Sequence, residues 1–258
     1  MDLLTVALLA LLQGITEFLP VSSSGHLVIA QRLLAWNRDN VLLDATLHLG
    51  TAIAIIWVFR RDILTLVTGL FSRDATKRRA SFRTTAFLIL GSIPAVVAGL
   101  VFRDFFEGMF LNPRATGVLF FVSAAFLFAS NLRKRPSGPL DAPKAAAIGF
   151  AQALAILPGI SRSGTTISTA LLVGTERKEA GRFSFLLGLP VILGAAFLEL
   201  RDVPAASLSP GIFLAAFAIS LVVGVVALRL LIGFVDRGKI HYFGYYLVAL
   251  GIACLLFL

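Results

Sequence analysis

Apolar residues in this chain run in long blocks instead of alternating with polar ones at a strand or helix-face period. Six blocks, at about 41–59, 84–102, 115–132, 183–198, 212–234 and 242–258, are long and apolar enough to be read as membrane-crossing helices. Four shorter helical stretches form two pairs, 3–18 with 24–34 and 145–157 with 165–173. Each pair breaks at a Pro/Gly/Ser cluster, "LPVSSSGH" in the first and "LPGISRSGTT" in the second. Such a broken pair suits a re-entrant hairpin, because bare backbone at membrane depth must be buried in protein or line a wet cavity.

The two breaks resemble each other. Gln13 precedes Ser22 by nine residues, and Gln152 precedes Ser161 by nine; both serines open an S-x-S-then-Gly run. Downstream, "LHLGTAIAI" matches "FLLGLPVIL", and Arg61-Asp62 recurs as Arg201-Asp202. Each half then holds two short helices and three spans. Three is odd, so the second half is expected upside down relative to the first. The expected fold is an all-α integral membrane protein with an inverted-topology repeat, about six transmembrane helices plus two re-entrant helical hairpins. It forms a single domain over 1–258, with halves at approximately 1–135 and 140–258.

Composition sharpens this picture. The chain is 58% hydrophobic and 14% charged, which a soluble domain with one core does not match. Its net charge of +9 does not imply nucleic acid, because the basic residues sit between apolar blocks as topology signals. Segment 60–83 holds seven Lys and Arg, 133–144 four, 175–182 three and 236–239 two, and the positive-inside rule puts these in the cytoplasm. Segments 103–114 and 201–210 are poorer in Lys and Arg and are expected outside. The first hairpin then enters from outside and the second from inside, with their polar tips meeting near the midplane. The one cysteine, Cys254, excludes an intramolecular disulfide and a cysteine metal site. The first apolar stretch has no basic flank before it and is not read as a cleaved signal peptide.

The chemistry gathers at the breaks. Arg162, flanked by Ser161 and Ser163 and followed by Thr165 and Thr166, offers a planar fork of donors suited to phosphate oxygens at a helix start. The alternative is that Arg162 pairs with a carboxylate while the serines cap a helix. An ionisable group at membrane depth is costly enough to make function the default. At the first break, Gln13 and Glu17 share a helix face, and His26 follows "SSS". Glu17 can hold a divalent cation, manage a proton or act as counter-ion to Arg162; His26 can serve acid–base chemistry, attack phosphorus or only hydrogen-bond at a helix start. His48 reads as a packing or hydrogen-bonding residue, and His241 as part of an aromatic membrane anchor with Tyr242, Tyr245 and Tyr246. Glu199 and Asp202, at a span end, read as solvated. An anion clamp, an acid and a histidine within the bilayer suggest a phosphate-bearing substrate that lives in the membrane.

These residues carry a family resemblance. "QGITEFLPVSSSGH" resembles the first motif of the undecaprenyl-diphosphate phosphatases, also called bacitracin-resistance proteins, and "PGISRSGTT" is similar to their second. The likeness extends over essentially the whole chain, including "LHLGT". It implies a dimeric enzyme of the bacterial inner (plasma) membrane, stimulated by a divalent cation (Mg2+ or Ca2+). Its site would open toward the outer, periplasmic side and remove the terminal phosphate of undecaprenyl diphosphate. The product lipid carrier serves peptidoglycan and other envelope glycans.

Carried over by position, Arg162 holds the diphosphate, with Ser22, Ser161, Ser163 and Thr166 binding substrate. Glu17, with Gln13, binds the cation or handles the proton, and Ser23 or His26 is the nucleophile or its base. Gln13 stands where many relatives have Glu; a neutral amide is the weaker cation ligand, so Glu17 carries the heavier role. The rival reading is a secondary transporter or lipid flippase, since inverted repeats with broken helices are built for alternating access. A scaffold with a merely structural Glu17–Arg162 pair is the third.

Overall fold

The computed structural model describes residues 3–33, 41–133, 136–201 and 209–258. Twelve helices run through them: α1 Leu3–Thr16, α2 Ser23–Leu33, α3 Val41–Val58, α4 Arg60–Leu70, α5 Ala75–Val101, α6 Arg103–Phe110, α7 Pro113–Ala129, α8 Ala142–Leu154, α9 Arg162–Leu172, α10 Arg177–Arg201, α11 Pro210–Asp236 and α12 Tyr242–Phe257. The only β pairing among the described residues is a bridge between Gly138 and Thr175. The expectations for Leu34, Asp202 and most of segment 201–210 fall outside the described residues, as does the side chain of Glu199.

All six long blocks are helical, and the two short pairs are α1–α2 and α8–α9. Polar caps set where several helices begin: Asp74 accepts from Thr76 and Lys77 before α5, Asn112 from Ala115 before α7, and Asp141 from Lys144 before α8. The cap at Asp74 makes α5 start nine residues ahead of its apolar block, because Lys and Arg continue a helix well outside the apolar core. Two helices stand where the sequence suggested loops. α4 turns 73° from α3, and α6 turns 102° from α7. Both are short and amphipathic, and their charged residues disguised them.

By length and composition alone, Ala75–Val101, Arg177–Phe197 and Pro210–Asp236 can each cross a membrane, and the two bent pairs raise that to five among the described residues. α12 has 16 residues, short of the ~20 that a spanning helix needs. The described residues thus hold several apolar helices of unequal length, as a membrane protein does.

Packing explains the centre. α1 lies along α11 and α8 along α5, while α3 packs on α10 and α11, and α7 on α12. Where α8 crosses α5, a Cβ added at Gly149 would stand 2.5 Å from the Gly91 carbonyl oxygen, so two bare backbones touch. Small residues permit that approach between apolar helices. Charged helix ends collect together: Arg182 of α10 pairs with Asp62 of α4 at 2.6 Å, and Arg133 after α7 reaches the Leu172 carbonyl at the end of α9. A separate apolar cluster joins Val6, Leu9 and Ala10 of α1 to Leu27, Leu43, Leu47 and Ala216. The α1–α2 and α8–α9 tips meet each other.

Candidate active site

The chain turns sharply at both tips. Ser22 sits at φ +70°, unusual for a residue with a side chain, and Gly159 at φ +100°. The Ser22 hydroxyl accepts from the Gly159 N–H at 3.1 Å, tying the first tip to the second. Ser123 of α7 reinforces the second: its hydroxyl donates to the Gly159 carbonyl at 3.1 Å and accepts from the Ser161 N–H at 2.7 Å. The left-handed turn at Ser22 is held by hydrogen bonds from three directions, since its hydroxyl also accepts from Gly25 and its carbonyl accepts from His26.

The charged groups meet across this junction. Arg162, the first residue of α9, donates from Nη2 to Glu17 Oε1 at 2.5 Å, with both side chains largely buried. The other carboxylate oxygen, Oε2, accepts from Ser23 Oγ at 2.6 Å and from Gln13 Nε2 at 3.1 Å. Glu17 thus holds an arginine on one oxygen and a serine hydroxyl on the other. The guanidinium lies against Gly188 of α10, where a Cβ would overlap Nη1. Glycine at 188 is the seat of the arginine.

A cavity of about 250 Å³ opens onto this group. Glu17, Ser22, Ser23, Ser24, Ser161 and Arg162 line its polar side, and Leu27, Val28, Ile156, Ile160, Val191 and Ile192 much of the rest. A small polar patch in a mostly apolar wall is the usual make-up of a ligand site.

Four expected site residues stand outside the wall: Gln13, Ser163, Thr166 and His26. Ser163 and Thr166 do not line the cavity: Ser163 Oγ lies 3.3 Å from Ser161 Oγ, and Thr166 donates back to the Arg162 carbonyl at 2.8 Å. They shape the first turn of α9. His26 also stays out of the wall. Its Nδ1 faces the Ser22 carbonyl at 2.8 Å, and its Nε2 the Tyr246 hydroxyl at 2.7 Å, with the two rings stacked. A carbonyl can only accept, so Nδ1 carries the hydrogen and the neutral ring accepts from Tyr246. Tyr246→Phe should therefore lower the melting temperature by a few degrees, from about 1–3 kcal/mol for a buried acceptor left unpaired. Turnover per folded molecule should stay within about tenfold of wild type, a span of ~1.4 kcal/mol in barrier height. Thermal melts and rates on the purified variant check both.

Four further polar residues line the cavity that sequence reasoning passed over or assigned to packing: Thr16 of α1, Asp44 and His48 of α3, and Gln152 of α8. The spacing of four in "DATLH" matches that of Gln13 and Glu17, and this was the available signal.

The fit of a divalent cation follows from the donors. Among the described residues no group of three or more His, Cys, Asp and Glu is placed to hold a metal. Gln13 Oε1 is buried with no hydrogen-bond partner among those residues, beside the Glu17 carboxylate. Glu17 and Gln13 offer oxygen donors of the hard type that Mg2+ or Ca2+ takes, and two are too few to hold either ion alone.

The model of the bacitracin resistance protein BacA family matches residues 6–253. A protein of Rubrobacter xylanophilus named undecaprenyl-diphosphatase is 41% identical over 100% of both chains. One of Korarchaeum cryptofilum with the same name is 37% identical over 99% of each, and one of Syntrophotalea carbinolica 41% over 97% of each. With the tips, their motifs and the full-length identity in agreement, this chain belongs to the bacitracin resistance protein BacA family.

Proposed function

We propose that the chain is a membrane phosphatase that hydrolyses undecaprenyl diphosphate to undecaprenyl phosphate and inorganic phosphate. It would recycle the lipid carrier of peptidoglycan and envelope glycans and confer bacitracin resistance. The observation that carries this reading is the junction itself: one buried carboxylate, Glu17, bridging the Arg162 fork and the Ser23 hydroxyl in a cavity between two helix tips. The relatives' shared name supplies the substrate.

The mechanism follows from these atoms. Arriving diphosphate competes with Glu17 for Arg162, whose parallel N–H groups match two phosphate oxygens. Ser23 attacks the terminal phosphorus in line as its proton passes to Glu17 Oε2, on which it already rests. The bond from phosphorus to the bridging oxygen breaks, and undecaprenyl phosphate leaves. Water then displaces the serine, giving orthophosphate. Arg162 and the N–H groups opening α9 offset the charge on the phosphoryl oxygens throughout. Glu17 and Gln13 would hold a divalent cation, which would supply further charge neutralisation. Ser23 takes the nucleophile's role here, because the ring nitrogens of His26 are engaged away from the cavity.

The architecture that goes with this is an inverted repeat with halves near 1–135 and 140–258. In support, α1 packs on α11 as α8 packs on α5, and α3–α10 and α7–α12 pair across the halves. The proposal includes a homodimer in the plasma membrane with the cavity open to the outer side. The prenyl tail lies in the apolar groove between α5 and α10, lined by Leu88, Ile93, Val97 and Pro190, next to cavity residues Val191 and Ile192.

Two broken hairpins meeting tip to tip also suit a transporter or flippase. Orthophosphate release from undecaprenyl diphosphate by the purified protein separates the readings. Mg2+- or Ca2+-dependent release, abolished by chelator, is expected. Lipid bound or moved with its diphosphate intact would favour the transporter.

A further inference from the structure

Gln152 is 1% exposed and lines the cavity, yet neither its Nε2 nor its Oε1 has a hydrogen-bond partner among the described residues. Leaving both ends of a buried amide unmet is costly, and native structures rarely do so without a reason. The comparison with Gln13 supplies one. The two glutamines hold the same place in their halves, nine residues ahead of Ser22 and Ser161. Gln13 spends its N–H on Glu17, four residues on; four residues after Gln152 stands Ile156, which has nothing to accept with. The second amide therefore sits in the wall of the same cavity as Arg162 and Ser161, with both a donor and an acceptor unmet among the described residues.

We propose that Gln152 is a substrate-binding residue for the terminal phosphoryl group. Its Nε2 donates to a phosphoryl oxygen, and its Oε1 accepts from the water that releases orthophosphate. This rests on the phosphatase reading and adds to it a contact from α8, beside those of Arg162 and Ser161. It also assigns unlike tasks to the two related glutamines. Gln13 orients the carboxylate, and Gln152 meets the ligand.

The test is Gln152→Leu, close in shape and without polar atoms, with Gln152→Glu beside it. Melting temperature is measured with and without inorganic diphosphate, and KM and kcat on undecaprenyl diphosphate. Ligand-free Gln152→Leu should melt at the wild-type temperature or above, because an unmet buried amide has been removed. Its diphosphate-induced shift should shrink and its KM rise by about tenfold to a hundredfold, as for a lost hydrogen bond to a charged group. Gln152→Glu should lose at least as much, since it sets a carboxylate against the anion. A leucine variant that melts lower yet binds and turns over as wild type does would make Gln152 a packing residue and overturn the inference. If both variants match wild type within twofold, the inference falls while the phosphatase reading stands. If wild type itself neither responds to diphosphate nor releases phosphate, both fall.

Discussion

Arg162→Lys should lower phosphate release by about three orders of magnitude, in the range found when one preorganised donor to a phosphoryl group is lost. The charge survives this exchange, so the size of the loss measures the fork. Lysine presents a single ammonium, which cannot meet two phosphate oxygens in parallel. Arg162→Ala should be as inactive and also less stable, by about 3–5 kcal/mol, because Glu17 is left buried without its partner. The lysine variant separates the two effects. It should melt near the wild-type temperature while rates fall, as measured by thermal melts and initial rates on the same preparation.

Gly188→Ala should cost about a hundredfold in rate with the fold intact. The added methyl occupies the place of Arg162 Nη1, and the guanidinium must move by about an ångström or more, a displacement that costs on that scale when a catalytic group is misplaced. Helix α10 itself tolerates alanine well. The loss should appear in kcat and KM together, as Arg162 serves both binding and the transition state. Gly181→Ala is the control on the same helix: a Cβ there meets only Val235 at ordinary contact distance, 3.6 Å, and activity should hold.

Much of this could be read along the chain. The six apolar blocks became helices because backbone at membrane depth must satisfy itself, whatever the neighbours are. Both tips broke at their Pro/Gly/Ser clusters, and the Glu17–Arg162 pair is present as one of the expected alternatives. Local rules also placed Ser161 as the cap of α9. They failed where charge hid amphipathic character, as in α4 and α6. They also failed where function depends on which way a side chain turns. His26 follows a serine run as Arg162 follows a serine, yet it points at Tyr246, 220 residues away. Gly188 looked like any small residue in a span, and only the folded chain puts it under a guanidinium. Gln152 was visible as a mark of the repeat, while its unmet amide belongs to the cavity.

In the proposed reaction the phosphoryl bond breaks at the junction of the two tips, with Ser23 attacking as its proton passes to Glu17. The most direct measurement is single-turnover orthophosphate release from undecaprenyl diphosphate by Ser23→Ala and wild type, prepared alike and matched in melting temperature. Release by Ser23→Ala should fall by about a thousandfold or more, in keeping with loss of an activated nucleophile. Release within tenfold of wild type, a change of only ~1.4 kcal/mol in the barrier, would contradict it and move the chemistry away from this serine.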